Sequence, residues 1–132
     1  MNKITLALII AKPGHLRNGL QSLLRSIPQI EILAESNDPS ILSKMEKGIH
    51  PDLILVDAYM FDESNWAALK MIKKDWPSIH VLMLTENDEQ GQAAKDAGAD
   101  FYLLKGFQAS ELAHLIETLL KQQSGDEINP LD

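Results

Sequence analysis

The stretch Pro51-Asp52-Leu53-Ile54-Leu55-Val56-Asp57 decides the fold class of this chain. Its four consecutive apolar residues show no polar alternation, which is typical of a strand buried on both faces of a parallel sheet. The run ends on Asp57, where the strand meets its loop. Because ligands and chemistry collect at the carboxyl ends of such strands, Asp57 is a candidate metal ligand, general base or nucleophile. The alternative is that Asp57 only caps the following turn.

Four other segments have the same buried-strand character, and helical patterns separate them. One predicted helix has a cap at Asn37 or Asp38 and Pro39 in its first turn, and it ends at Gly48. Its predicted buried residues are Ile41, Leu42 and Met45. The predicted strands are 4–11, 30–34, 53–56, 79–84 and 101–104. This alternation predicts an α/β fold with a doubly wound, five-stranded parallel sheet and helices on both faces.

The segment 88–97 is a predicted helix of unusual composition. It is rich in Ala, Gln and Asp and poor in large apolar residues, and Gly98 is its predicted end. Such a helix has little apolar surface to bury, so we expect it to be weakly anchored and able to shift.

Length and composition limit the functions that are possible for this chain. The 132 residues fit one domain, and 19 acidic against 12 basic residues give a net charge of −7, which disfavours direct binding to nucleic acid or an anionic membrane. The absence of cysteine excludes disulfides and thiolate chemistry and fits a cytoplasmic location. No apolar run approaches the ~18 residues that a membrane span requires.

Three predicted strands end in chemically useful side chains: Asp57, Thr85 and Lys105. The carboxyl ends of parallel strands share one edge, so these three side chains can converge. A carboxylate, a hydroxyl and an ammonium together suit a phosphoryl group. The carboxylate can attack phosphorus, while the hydroxyl and ammonium bind its oxygens.

These residues and their surroundings resemble the receiver domains of bacterial response regulators, which have a flavodoxin-like (βα)5 fold. The resemblance is strongest to receivers that precede helix-turn-helix output domains of the NarL/LuxR type. It covers residues 3–122, and we place the domain boundary there, with 123–132 as a polar tail or linker. The matching segments are 15–20, 51–57, 82–85 and 97–105. The resemblance implies that Asp57 is the phospho-acceptor, that Thr85 and Lys105 complete its pocket, and that Tyr102 is a switch aromatic.

The chain departs from the family where Mg²⁺ is held. Receivers end their first strand in two acids, and here those positions are Ala11 and Lys12. Neither side chain supplies an oxygen ligand, so we expect at most weak Mg²⁺ binding at Asp57, no other metal and no other cofactor. Asp62, in the loop after Asp57, is a candidate for a replacement ligand, but nothing in the sequence places it at the site.

Lys12 has two interpretations. Its ammonium either occupies the vacated metal site and pairs with Asp57, or its long stem carries the charge out to solvent. We favour the first interpretation, because an unpaired carboxylate in a partly buried pocket is costly.

Two functional hypotheses remain open, and neither makes the chain an enzyme. In the first, a sensor histidine kinase phosphorylates Asp57, and Thr85 and Tyr102 relay the change to the surface around residues 88–97. In the second, the chain is a pseudo-receiver, an interaction module that a signalling partner, a ligand or a second copy of the chain controls. The missing acids favour the second hypothesis. A flavodoxin-like enzyme is disfavoured, because no Gly-rich loop follows the first strand.

The tail 123–132 is polar and contains Gly125 and Pro130, as interdomain linkers do. Its segment 129–131 resembles the entry to a helix-turn-helix domain. We therefore expect the chain to be the N-terminal part of a transcription regulator that contacts DNA only through a further domain. The alternative is a stand-alone receiver with an acidic tail.

Overall fold

A computed structural model describes residues 3–45 and 50–124 as a five-stranded parallel sheet with strand order β2-β1-β3-β4-β5. The elements in chain order are β1 (Thr5–Ile10), α1 (His15–Arg25), β2 (Ile30–Ser36), a 3-10 helix (Pro39–Lys44), β3 (Leu53–Asp57), a short 3-10 helix (Ala58–Met60), α2 (Glu63–Asp75), β4 (His80–Thr85), α3 (Asp88–Asp96), β5 (Phe101–Leu104) and α4 (Ala109–Ser124). The predicted fold class is confirmed. In the described residues no helix has the length and apolar character to cross a bilayer.

The central strand β3 divides the core into two layers. Ile54 and Val56 pack on one face with the apolar residues of α2 and of the 3-10 helix after β2. Leu53 and Leu55 pack on the other face with α1 and α4. All five residues of β3 are buried, which is why its sequence shows an unbroken apolar run and not an alternation.

The connection after β2 differs from the prediction of an α-helix, which is wrong in type. Asp38 is the cap, as expected, and its Oδ1 accepts a hydrogen bond of 2.9 Å from the Ser40 amide. Leu42 is buried, also as expected, but the turn is a 3-10 helix that stops at Met45, whose backbone is extended. Two serines and a β-branched isoleucine within six residues give the segment low α-helical propensity. The predicted end at Gly48 lies outside the described residues.

Helix α3 packs against β4 and β5 through small residues, and its weak anchoring stays a prediction. Its buried residues are Gly91 and Ala94, which have the smallest side chains available. The helix ends before Gly98, whose φ of 108° lies in the left-handed region that favours glycine. Because the buried side chains are small, polar contacts at the amino terminus of α3, such as the hydrogen bond from Tyr102 to Asp88, add to its attachment.

The predicted domain boundary after residue 122 falls within α4. The part of the predicted tail from residue 125 onward lies outside the described residues.

Candidate functional site

Asp57 ends β3 at the carboxyl edge of the sheet, and its side chain is only 7% exposed. Its Oδ1 lies 2.7 Å from the Nζ of Lys105 and accepts a hydrogen bond of 3.0 Å from the Tyr59 amide. The second contact caps the short 3-10 helix that follows. Asp57 is thus a turn cap that also pairs with a lysine, and its role as a metal ligand, general base or nucleophile stays a prediction.

Lys105 follows β5 and reaches Asp57 across the end of β4. Its Nζ also donates a hydrogen bond of 2.9 Å to the Oε2 of Glu86, so the ammonium is shared between two carboxylates. Burial lowers the pKa of Lys105, but the hydrogen bonds and negative charges of Asp57 and Glu86 outweigh burial and raise it above the usual lysine value. Lys105 is therefore a firmly charged ammonium at the centre of the site.

The favoured interpretation of Lys12 is wrong in this structure. Asp57 pairs with Lys105, whereas Lys12 is exposed, with its Nζ 5.8 Å from the centroid of the Tyr59 ring. Lys105 comes equally near to this ring, at 5.7 Å. An ammonium is strongly hydrated, and the long lysine stem lets it stay in water when another cation already neutralises the buried carboxylate.

Thr85 is fully buried at the end of β4. Its hydroxyl donates a long hydrogen bond of 3.4 Å to the carbonyl of Leu103 in the neighbouring strand β5. The structure brings Asp57 and Lys105 into direct contact, while the Thr85 hydroxyl is directed at β5. The role of Thr85 as a ligand of a phosphoryl group stays a prediction.

Tyr102 packs against the first half of α3. A Cβ atom at Gly91 would overlap the Cε1 atom of Tyr102, so the ring occupies the space that the glycine leaves. Its hydroxyl donates a hydrogen bond of 2.9 Å to the Oδ1 of Asp88, and this bond raises the pKa of the tyrosine. The ring is held on α3 by one steric fit and one hydrogen bond, and its role as a switch stays a prediction.

The residues present do not fit a Mg²⁺ ion. Ala11 is buried and has no side-chain oxygen, Lys12 carries a positive charge, and the ammonium of Lys105 already lies against Asp57. Asp62 is occupied as the cap of α2, where hydrogen bonds from the Ser64 hydroxyl and the Asn65 amide lower its pKa. Across residues 3–45 and 50–124, no group of three or more acidic, His or Cys side chains is arranged to hold a metal.

Glu86 and Tyr59 also contact the site, and neither was predicted from the sequence. Glu86 directly follows Thr85, so it was visible as a charged residue at the carboxyl end of a predicted strand. Tyr59 is 68% exposed beside Asp57, and no signal in the sequence distinguished it from an ordinary loop residue.

The comparison with known families identifies the class of this protein. The profile of the response regulator receiver domain matches residues 7–117. The chain belongs to this family, the receiver domains of two-component signalling. Relatives include the response regulator protein VraR of Staphylococcus aureus, 36% identical over 110 residues, and that of Staphylococcus saprophyticus, 34% identical over 110 residues. Each match covers 82% of this chain and 53% of the relative, so the chain spans about half the length of these relatives.

Solved structures agree on the fold. RcsB of Salmonella typhimurium superimposes with a TM-score of 0.76 at 20% identity, over 92% of this chain and 61% of that chain. The isolated receiver domain of RcsB with the phosphomimetic BeF3⁻ gives a TM-score of 0.75 at 19% identity, over 90% of both chains. The receiver domain of Thermotoga maritima CheB gives 0.71 at 21% identity, over 97% of this chain and all of that domain.

Proposed function

We propose that this chain is a receiver with a degenerate acidic pocket that signals without efficient Mg²⁺-dependent phosphorylation. It acts as an interaction module and not as an enzyme, it needs no resident cofactor, and its output surface is the region of α3 and β5. The observation that carries the proposal is the absence of side-chain oxygens at Ala11 and Lys12.

Electrostatics supports this proposal. An incoming phosphoryl group is strongly negative, and a receiver has to neutralise the charge that develops during transfer. Here Lys105 is divided between Asp57 and Glu86, and the charge of Lys12 stays at the exposed rim of the site. Neither position replaces a divalent cation bound directly beside the attacking oxygen.

A conventional phospho-acceptor is the second candidate, and the retained Asp57–Lys105 pair supports it. In that case the phosphoryl group passes from the phosphohistidine nitrogen of a sensor kinase to an Asp57 carboxylate oxygen. The P–N bond breaks as the P–O bond forms, and the released imidazole nitrogen takes up a proton. The experiment below separates this function from the first.

Incubation with acetyl phosphate, with and without Mg²⁺, tests the proposal through phosphate-affinity gels and intact mass. We expect the unaltered chain to gain no more phosphate than Asp57→Asn under either condition. The double variant Ala11→Asp/Lys12→Asp restores the acid pair and is expected to gain Mg²⁺-dependent phosphate. Mg²⁺-dependent labelling of the unaltered chain that Asp57→Asn abolishes would establish the conventional function instead.

We further propose that the partners are a sensor kinase or another signalling protein, with a second copy of the chain as a candidate, and that the protein acts in the cytoplasm. RcsB has been solved bound to a promoter in the presence of BeF3⁻. By analogy, DNA contact belongs to a further domain beyond this acidic chain. Reading the source gene past the codon for Asp132 tests this: an open frame with a basic recognition helix supports it, and an immediate stop codon contradicts it.

A further inference from the structure

The ammonium of Lys105 is shared by two carboxylates that belong to different parts of the fold. Asp57 ends β3 and is nearly enclosed, whereas Glu86 follows β4 and its side chain is 52% exposed. Ion pairs with exposed partners contribute little free energy and exchange readily, while a nearly buried carboxylate keeps its partner. We therefore expect the Lys105–Glu86 contact to break before the Lys105–Asp57 contact when another anion binds Lys105.

Glu86 is joined to the amino terminus of α3 through its own backbone. Its amide donates a hydrogen bond of 2.7 Å to the side-chain oxygen of Gln90 in the first turn. The adjacent Asn87 caps the helix, and its Oδ1 accepts a hydrogen bond of 2.8 Å from the Gln90 amide. Glu86 therefore contacts Lys105 through its carboxylate and the first turn of α3 through its backbone amide.

Tyr102 also holds this turn, because its ring packs against Gly91. The residues that α3 buries are Gly91 and Ala94, and the hydroxyl of Tyr102 donates a hydrogen bond to Asp88. Two polar contacts thus join this region to β5 and the residue after it: one from Tyr102 to Asp88 in α3, and one from Lys105 to Glu86, which precedes the cap of the helix. The second contact also reaches Asp57.

We propose that Glu86 is a built-in competing ligand of Lys105, which couples the charge at Asp57 to the position of α3. When Asp57 is neutralised, Lys105 pairs with Glu86 alone, and this ion pair holds the first turn of α3 near the site. An anionic group added at Asp57, or an anionic side chain of a partner that binds Lys105, releases Glu86 and loosens that turn. The inference rests on the proposed function only in taking α3 as part of the output surface.

Amide hydrogen exchange at Gln90 and Gly91, both of which donate to Asn87, tests the coupling. Glu86→Gln is expected to speed exchange at these amides about two- to fivefold, the size of effect an exposed ion pair has. The matched control is Glu89→Gln, which removes the same charge from an exposed position in the same turn and is expected to change exchange less.

A double-variant experiment separates coupling from a merely structural role of Glu86. Asp57→Asn is expected to slow exchange at Gly91 in the unaltered background and to have no effect in the Glu86→Gln background. An equal effect of Asp57→Asn in both backgrounds overturns the inference, as does a Glu86→Gln effect no larger than that of Glu89→Gln. Phosphate labelling plays no part in this test, so Mg²⁺-dependent labelling would remove the proposed function and leave the coupling standing.

Discussion

Replacing Lys105 by Met removes the ammonium that neutralises Asp57 and keeps the length of the side chain. The substitution leaves the Asp57 carboxylate, which is 7% exposed, without its cationic partner and with one hydrogen bond, from the Tyr59 amide. Lys12→Met is the matched control, because it removes the same charge from an exposed position at the rim of the same site.

The size of the effect follows from the distance and exposure of the pair. Two unit charges 2.7 Å apart attract by about 6 kcal/mol at an effective dielectric constant of 20. Desolvation cancels much of this energy, and the Lys105 side chain is 27% exposed, so the net loss lies between the values for exposed and buried pairs. We expect Lys105→Met to lower the free energy of unfolding by about 2 kcal/mol and Tm by about 8 °C.

Urea unfolding followed by Trp fluorescence measures this loss, and a cycle with Asp57→Asn isolates the pair. In the Asp57→Asn background no buried charge is stranded, so Lys105→Met is expected to cost less than about 1 kcal/mol. Lys12→Met is expected to cost less than about 0.5 kcal/mol in either background. A loss for Lys12→Met equal to that for Lys105→Met would refute the assignment of Lys105 as the partner of Asp57.

Two further predictions concern positions away from the charged site. Gly91→Ala is expected to displace the Tyr102 ring and return the pKa of its hydroxyl toward the ordinary value in an absorbance titration. Gly19→Ala is the control, because the added Cβ meets open space, and it should only raise the free energy of unfolding by about 1 kcal/mol. An unchanged pKa of Tyr102 in Gly91→Ala would contradict the steric fit. Burial lowers the pKa of His80, whose buried Nδ1 has no hydrogen-bond partner within the part of the chain that the structure describes. As pH falls, the unfolded chain therefore binds a proton at His80 before the folded chain does, so the free energy of unfolding should fall as pH drops below about 6.5. His80→Gln should make this fall smaller, whereas the exposed control His15→Gln should leave it unchanged. If the free energy of unfolding depends on pH equally in the two variants, His80 is not the cause.

The sequence by itself determined the fold and the chemical inventory of the site. A strand with an unbroken apolar run is stable only where both faces of the sheet are covered, so the segment around Leu55 indicated a central parallel strand. Parallel strands place their carboxyl ends on one edge, which brought Asp57, Thr85 and Lys105 together in the prediction. The identities of Ala11 and Lys12 exclude side-chain oxygen ligands at these two positions in any conformation.

Only the tertiary structure decided how these groups pair. Lys12 and Lys105 both follow strands at the same edge, and a long flexible stem lets either ammonium reach Asp57 or solvent. Their distances in space, and the presence of Glu86 beside Lys105, select the second lysine. Likewise, the fit of Tyr102 against Gly91 joins residues on different elements, and sequence spacing carries no information about that contact. The turn after β2 was mistaken for an α-helix because α and 3-10 turns share their caps and buried positions, so small differences in propensity and packing choose between them.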